Sequence, residues 1–374
     1  MKVGLLTTGF PRFEGDCSGS FLLTLARGLV GHGHTVRVLA PEPKRPDPVP
    51  RWPGIEVCWV PYARPRALQQ TFYGSGAPDN LRLQPLRWAG AAAYAAALYR
   101  ASVRELAECD ALVSSWCIPS GWVASRIASG RTHLCISHAT DIRWLSKMPG
   151  GGRVARRIAR GATSMWFLSA PLRDDFFETA GLDQSTMSTH VGPMPIEPPQ
   201  ALPESRSELR RRLDIDGFTL LFLGRLVPVK GLDDLLHALA AFPEPISIRI
   251  AGDGPEGDEL RALAHRLGVD ATFEGWVAGE RKEALLQACD GIVVPSGPKD
   301  GLPTVLFEAK ARALPIITTE AGAIGDHMRD RTGTQVIPPN DRAALIRAIR
   351  QLRARHEPGQ AAQGVTFSVP FGGR

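Results

Sequence analysis

Five prolines within eleven residues, Pro193, Pro195, Pro198, Pro199 and Pro203, divide the chain more sharply than any other feature. Proline lacks the backbone N–H that a helix interior or central strand must donate, and its ring fixes φ, so neither element runs through this stretch. One continuous core across it is thereby excluded. At 374 residues the chain also exceeds the length at which a single core ordinarily keeps growing. We expect one domain over 1–195, a second over 196–355 and a tail over 356–374.

On both sides of the prolines, short apolar runs alternate with helical spacing. Strands are expected near 2–7, 35–40, 56–60, 111–115, 134–137 and 164–168, then near 218–223, 246–250, 272–274, 291–294, 315–318 and 335–337. The order strand, loop, helix, strand is that of an α/β fold, a doubly wound parallel sheet, which binds ligands at the carboxyl ends of its strands. Two such Rossmann-like halves leave a cleft between facing strand ends. The loop 8–20 belongs to that cleft but lacks a clean G-x-G-x-x-G, which argues against a dinucleotide. The stretch 73–81, with two glycines, suits either a binding loop or an ordinary surface turn.

Composition narrows the function classes. The chain is 44% hydrophobic and 22% charged, as in a globular protein. Six scattered cysteines without a C-x-x-C pair argue against a zinc site or disulfide framework, and the expected compartment is the reducing cytoplasm. The opening apolar run is broken by Gly9 and Pro11, unlike a signal segment, and residues 88–98 fall short of the roughly 20 residues that span a bilayer. A net charge of +6 suits anionic partners, whereas no nucleic-acid-binding module is present. Arg153, Arg156, Arg157 and Arg160 share one helix face: either a peripheral contact with acidic membrane at its inner face, or a merely solvated surface. The nine histidines form neither H-E-x-x-H nor part of a D-x-D magnesium pattern, so no metal and no cofactor is expected.

The richest chemistry lies in VVPSGPKDGLPTVLFE, residues 293–308. An apolar strand ends, a loop follows, and a helix is expected to open at Leu302-Pro303 with proline in its first turn. Asp300 and Glu308 would then share a crevice with the unpaired N–H groups of the helix start, which favour a phosphate. The same residues also fit a helix cap and a solvated helix acid. Arg225 and Lys230, at another strand–helix joint, could hold a diphosphate and stabilise it as it leaves, or could simply be solvated. His138 follows a strand and could bond a sugar hydroxyl with Asp141 orienting it; a cap on the next helix is the other reading.

Taken together, these segments resemble the family 4 glycosyltransferases, retaining enzymes of the GT-B fold. The likeness runs from Met1 to about Leu352 and rests on FLGRLVPVKG (222–231), AGDGP (251–255), FEGWV (273–277) and DGLPTVLFEAKARALPIITT (300–319). In the first half it rests on GFPRFEGDCSGSF (9–21), SSWCIPSG (114–121) and HATD (138–141). Residues 300–308 are similar to that family's E-x7-E signature, with Asp300 in place of the first glutamate. The resemblance implies a nucleotide-diphosphate sugar, UDP- or GDP-linked, held by the second domain. Arg225 and Lys230 would take the diphosphate, Glu308 the ribose and Asp300 the sugar hydroxyls, with His138 beneath the sugar. Gly19, Gly224, Gly252, Gly254, Gly301, Leu302, Pro303 and Thr304 would complete the donor site, and Phe13, Asp16, Tyr73, Trp116 and Asp141 would meet a hydroxyl acceptor. That acceptor is expected to be a lipid-linked or cell-surface glycan precursor; a small natural product, or epimerase or phosphorylase chemistry on the same fold, are the alternatives. The implied reaction is front-face displacement, with the departing phosphate taking the acceptor's proton.

Overall fold

The computed structural model describes residues 1–356 apart from 14, 15, 17, 44–50, 74–76, 78, 79, 82–86, 201, 299 and 330. Seven parallel strands build the first domain: β1 (Lys2–Leu6), β2 (Thr35–Pro41), β3 (Ile55–Val60), β4 (Ala111–Ser115), β5 (Thr132–Ile136), β6 (Ser164–Phe167) and β7 (Ser188–Val191). Their order is β3-β2-β1-β4-β5-β6-β7. Six more build the second: β8 (Thr219–Leu223), β9 (Ser247–Ala251), β10 (Ala271–Gly275), β11 (Gly291–Val294), β12 (Ile316–Thr319) and β13 (Thr334–Ile337), in the order β10-β9-β8-β11-β12-β13. Both halves are thus doubly wound parallel sheets, as the alternation of apolar runs requires.

The central strands are short and almost uniformly apolar because helices cover both faces. Leu5 of β1 sits beside Val38 and Val113, and Leu220 of β8 beside Ile248 and Gly291. Strand order reverses between β1 and β4 and again between β8 and β11. At each reversal the flanking loops diverge and open a crevice at the carboxyl edge.

The strand β7 was not anticipated. Its sequence, STHV, is polar and sits at the sheet edge, where one neighbour supplies all the pairing and no buried face imposes an apolar run. The helix after β11 spans Thr304–Ala311, and Pro303 is its N-cap with φ −63 and ψ 121, not its first helical residue. The extended ψ at Pro303 delays the helix beyond the expected start.

The proline-rich stretch separates β7 from the helix Arg206–Arg212 and carries no helix or strand among its described residues. Cys58, Cys109, Cys117, Cys135 and Cys289 are free thiols; Cys17 lies outside the described residues. So do residues 74–76, 78 and 79 of the expected binding loop and 357–374 of the expected tail. Among the described residues no helix is long and apolar enough to cross a membrane.

Candidate active site

The carboxyl edges of the two sheets face each other across a cavity of about 860 Å³. Its second-domain wall is made by the loops after β8 and β9 and by the joint after β11. The first two loops are laced together: Gly224 N donates to Ala251 O at 3.0 Å, and Leu226 N to Asp253 O at 2.9 Å. Glycine is required there. Gly252 has φ +148, and a Cβ on it would lie 1.8 Å from Gly224 O. Gly254 is equally tight against Leu226 O, at 2.2 Å, and stands behind the wall, whereas Gly224 and Gly252 line it.

Arg225 and Lys230 both line the cavity, as their strand–helix joint predicts. Lys230 Nζ lies 2.7 Å from Asp300 Oδ2. The Asp300 carboxylate also accepts from Ser296 Oγ at 2.6 Å and from Gly301 N at 2.9 Å. Three donors thus reach a carboxylate that offers about four lone-pair positions. Asp300 anchors Lys230 and ties down the loop, and it is not among the residues that line the cavity.

Glu308 reaches the cavity from the second turn of its helix, beside Pro303 and Thr304. Its Oε2 lies 3.1 Å from Lys282 Nζ but is out of line for a hydrogen bond, and this buried oxygen accepts none. The ammonium holds this oxygen by charge, and among the described residues no hydrogen bond takes the other carboxylate oxygen. Leu302 does not line the cavity; it packs against the cores of both domains. Gly301 serves through its N–H to Asp300.

The first-domain wall is carried by the loop after β1 and the helix Ser20–Gly31, through Phe13, Asp16, Ser20 and Phe21 among others. Gly19, at φ +71, lets this helix start against the backbone of Gly9, whose oxygen a Cβ would approach to 2.4 Å. Asp16 is nearly buried, and its carboxylate grips Arg12 through Nε at 2.6 Å and the Arg12 backbone N at 2.9 Å. Burial opposes its charge, but Arg12 and the Ser18 N–H hold its pKa below the ordinary carboxylate value. Arg12 also lies over the Tyr73 ring, 4.7 Å from its centroid, and Tyr73 Oη donates to Pro41 O at 2.8 Å. Asp16, which lines the cavity, and Tyr73, which is not among its lining residues, hold Arg12 in place from two sides.

His138 is half-buried and is not among the residues that line the cavity. Its ring is 5.4 Å from that of Phe21 and 5.1 Å from that of Trp116, and its Nε2 shares a hydrogen bond with Ser115 Oγ at 3.1 Å. Burial pushes its pKa down to about 4, which leaves the imidazole neutral near pH 7. Asp141 is completely buried and accepts from His138 N at 2.8 Å, Ile142 N at 2.9 Å and Cys117 N at 2.6 Å. It cannot touch an acceptor. The capping reading of HATD is the one realised. The Cys117 contact also secures the turn in which Trp116 takes φ +77, a strained value for a non-glycine residue.

Arg27, Glu197, Trp276 and Lys282 also line the cavity and were not anticipated. Trp276 lies in FEGWV, so the motif was visible without the role; the other three carry no local signal, because each is an ordinary surface-type residue until the domains meet. Among the described residues no group of three or more histidines, cysteines, aspartates or glutamates could hold a metal ion.

Known proteins resemble this chain in sequence and in fold. Residues 217–355 match the family described as "Glycosyl transferases group 1". The chain is 30% identical over 227 residues to the GDP-mannose-dependent alpha-(1-6)-phosphatidylinositol monomannoside mannosyltransferase of Mycobacterium tuberculosis, covering 57% of this chain and 58% of that one. It is 32% identical over 167 residues to O-antigen chain mannosyltransferase C of Escherichia coli, 44% of each. The chain therefore spans less than two thirds of these curated relatives. Sucrose-phosphate synthase from Thermosynechococcus elongatus shares the fold with a TM-score of 0.73 at 18% identity, over 94% of this chain and 90% of that one. Anabaena HepE, solved in complex with UDP, does so with a TM-score of 0.69 at 19% identity, over 96% and 91%.

Proposed function

We propose, from a second domain that is a glycosyl transferases group 1 domain within a two-domain GT-B chain, that the protein is a retaining hexosyltransferase. It would move a sugar from a UDP- or GDP-linked donor to a hydroxyl of a lipid-linked or cell-surface glycan precursor. One observation carries this reading: the interdomain cavity brings the cations Arg225 and Lys230 and the carboxylate of Glu308 onto one wall. That is the donor set a nucleoside diphosphate needs, with guanidinium and ammonium for phosphate and an acceptor for ribose hydroxyls. The mannosyltransferase names of the relatives support the sugar-transfer reading and a glycan or lipid-linked acceptor.

In this reading Arg225 and Lys230 neutralise the charge that builds on the departing diphosphate, in place of a divalent metal. The acceptor enters from the Phe13 and Phe21 side and attacks on the face from which the diphosphate leaves. The diphosphate takes its proton. His138, neutral and packed against Phe21, would lie beneath the sugar, where its uncharged ring can bond a hydroxyl without repelling the developing positive charge. The exposed Arg153, Arg157 and Arg160 would rest the enzyme on acidic membrane where such acceptors are held. Arg156 is not part of that face, since its Nε donates to Ala180 O at 2.9 Å.

The test is a metal-free thermal-shift series with UDP, GDP, ADP, TDP and NAD, followed by transfer assays. One nucleoside diphosphate should raise the melting temperature, a ligand at a hundred times its Kd adding about 2.7 kcal/mol. Arg225→Ala and Lys230→Ala should stay folded yet lose about two to three orders of magnitude in turnover. Stabilisation by NAD alone, or wild-type turnover in both variants, would discard the assignment.

A further inference from the structure

Four charged side chains run in series across the mouth of the cleft. Arg27 Nη1, on the first domain's helix Ser20–Gly31, lies 3.5 Å from Glu197 Oε1 on the linker. Glu197 Oε2 lies 3.8 Å from Lys282 Nζ on the second domain's helix Gly279–Ala288, and the same ammonium is 3.1 Å from Glu308 Oε2. All four line the interdomain cavity. Their side-chain exposure falls along the series, from 53% at Arg27 and 46% at Glu197 to 19% at Lys282 and 14% at Glu308. Water screens the outer pair, whereas the inner pair keeps more of its attraction.

The inner pair is balanced in charge but incomplete in hydrogen bonding. Glu308 Oε2 is buried and accepts no hydrogen bond, although an ammonium stands beside it. Oε2 is closed off beside Lys282, so the carboxylate's other oxygen, which takes no hydrogen bond among the described residues, is the one left for a ligand O–H, and a ribose offers two adjacent ones. The ammonium has a second effect. A carboxylate sharing a cavity with a diphosphate would repel it, and a cation at 3.1 Å from Oε2 offsets that repulsion while leaving the other oxygen open.

Resting on the donor reading above, we propose that Lys282 is a positioning residue for the donor's ribose: it aims the Glu308 carboxylate into the cavity with one oxygen unspent, and Glu197 fixes Lys282 from the linker. Ribose recognition is thereby tied to how the two domains sit against each other.

Calorimetric titration of the full chain with UDP and GDP, and with 2′-deoxy-UDP and 2′-deoxy-GDP, tests this in wild type, Lys282→Met, Lys282→Arg and Glu197→Gln, each first checked by its melting curve. Wild type should prefer the ribonucleotide it binds by about tenfold over the 2′-deoxy form, the weight of one charge-assisted hydrogen bond. Lys282→Met should lose most of that preference, Glu197→Gln part of it, and Lys282→Arg should retain it. An unchanged preference in Lys282→Met overturns the inference and leaves the donor reading standing. Failure of wild type to bind either diphosphate overturns both. Should Lys282→Met not fold, Glu197→Gln, on an exposed linker residue, decides by the same ratio: reduced supports, unchanged overturns.

Discussion

Two titrating residues stand back to back in the turn after β5. Burial holds His138 at about 4, below its ordinary 6.5, so between those pH values the unfolded chain binds the proton that the folded one refuses, and stability falls as pH is lowered. Burial raises Asp141 from 3.8 to about 7 against the three backbone N–H groups it accepts from; there the folded protein keeps the proton, and stability falls as pH is raised. From about pH 4 to 6.5 the two slopes have opposite sign and offset each other. Asp141→Asn removes one of them. That variant should lose on the order of 3 kcal/mol between pH 6.5 and 4 in urea melts, a loss the wild type lacks, beyond a pH-independent cost from disturbing the Cys117 N–H contact. Equal slopes in the two proteins would refute the compensation. At this scale the residue types of the site were legible: the cations Arg225 and Lys230 and the acid Glu308 line the cavity where their motifs predicted. Their pairings were not. Asp300 pairs with Lys230, 70 positions away, and Asp141 accepts from Cys117 N, 24 positions away, contacts that no local stretch carries, whereas Asp16 grips Arg12 only four positions off.

Elements were read more reliably than residues, since apolar runs report burial directly. The anticipated strands lie within about two residues of the observed ones, the usual uncertainty at strand and helix ends. The exception, β7, shows the limit of the signal: an edge strand with polar side chains carries no periodicity to detect. The loops after β8 and β9 show its strength, for AGDGP places glycine where the backbone leaves no room for Cβ. Gly252→Ala would put a methyl 1.8 Å from Gly224 O at φ +148, and the two loops must part. We expect a loss of about 3 kcal/mol or more and a failure to bind nucleoside diphosphate even where the variant is folded, read by melting curves and titration. Retention of wild-type affinity would mean that the lacing of these loops does not shape the donor wall.

At the scale of the molecule, contacts between the domains include Leu302, which packs against both cores, and His327 Nε2, which meets Leu168 O at 2.5 Å. Over the surface, the net charge of +6 includes the exposed Arg153, Arg157 and Arg160 on one helix of the first domain. Replacing all three by glutamine should weaken sedimentation with anionic vesicles by roughly two orders of magnitude, at about 1 kcal/mol per arginine, with no effect on neutral vesicles. Equal sedimentation by variant and wild type would leave the face as solvated surface. Two α/β halves, the breaks between their elements and the chemical character of the cleft loops were all written in local sequence, because proline geometry, glycine freedom and apolar periodicity act over a few residues. The union of Arg27, Glu197, Lys282 and Glu308 into one chain of charge, the pairing of Asp300 with Lys230 and the packing of His138 against Phe21 came from folding alone. Each joins groups from separate elements, whose distance is set by how the sheets and the linker pack rather than by any motif that carries them.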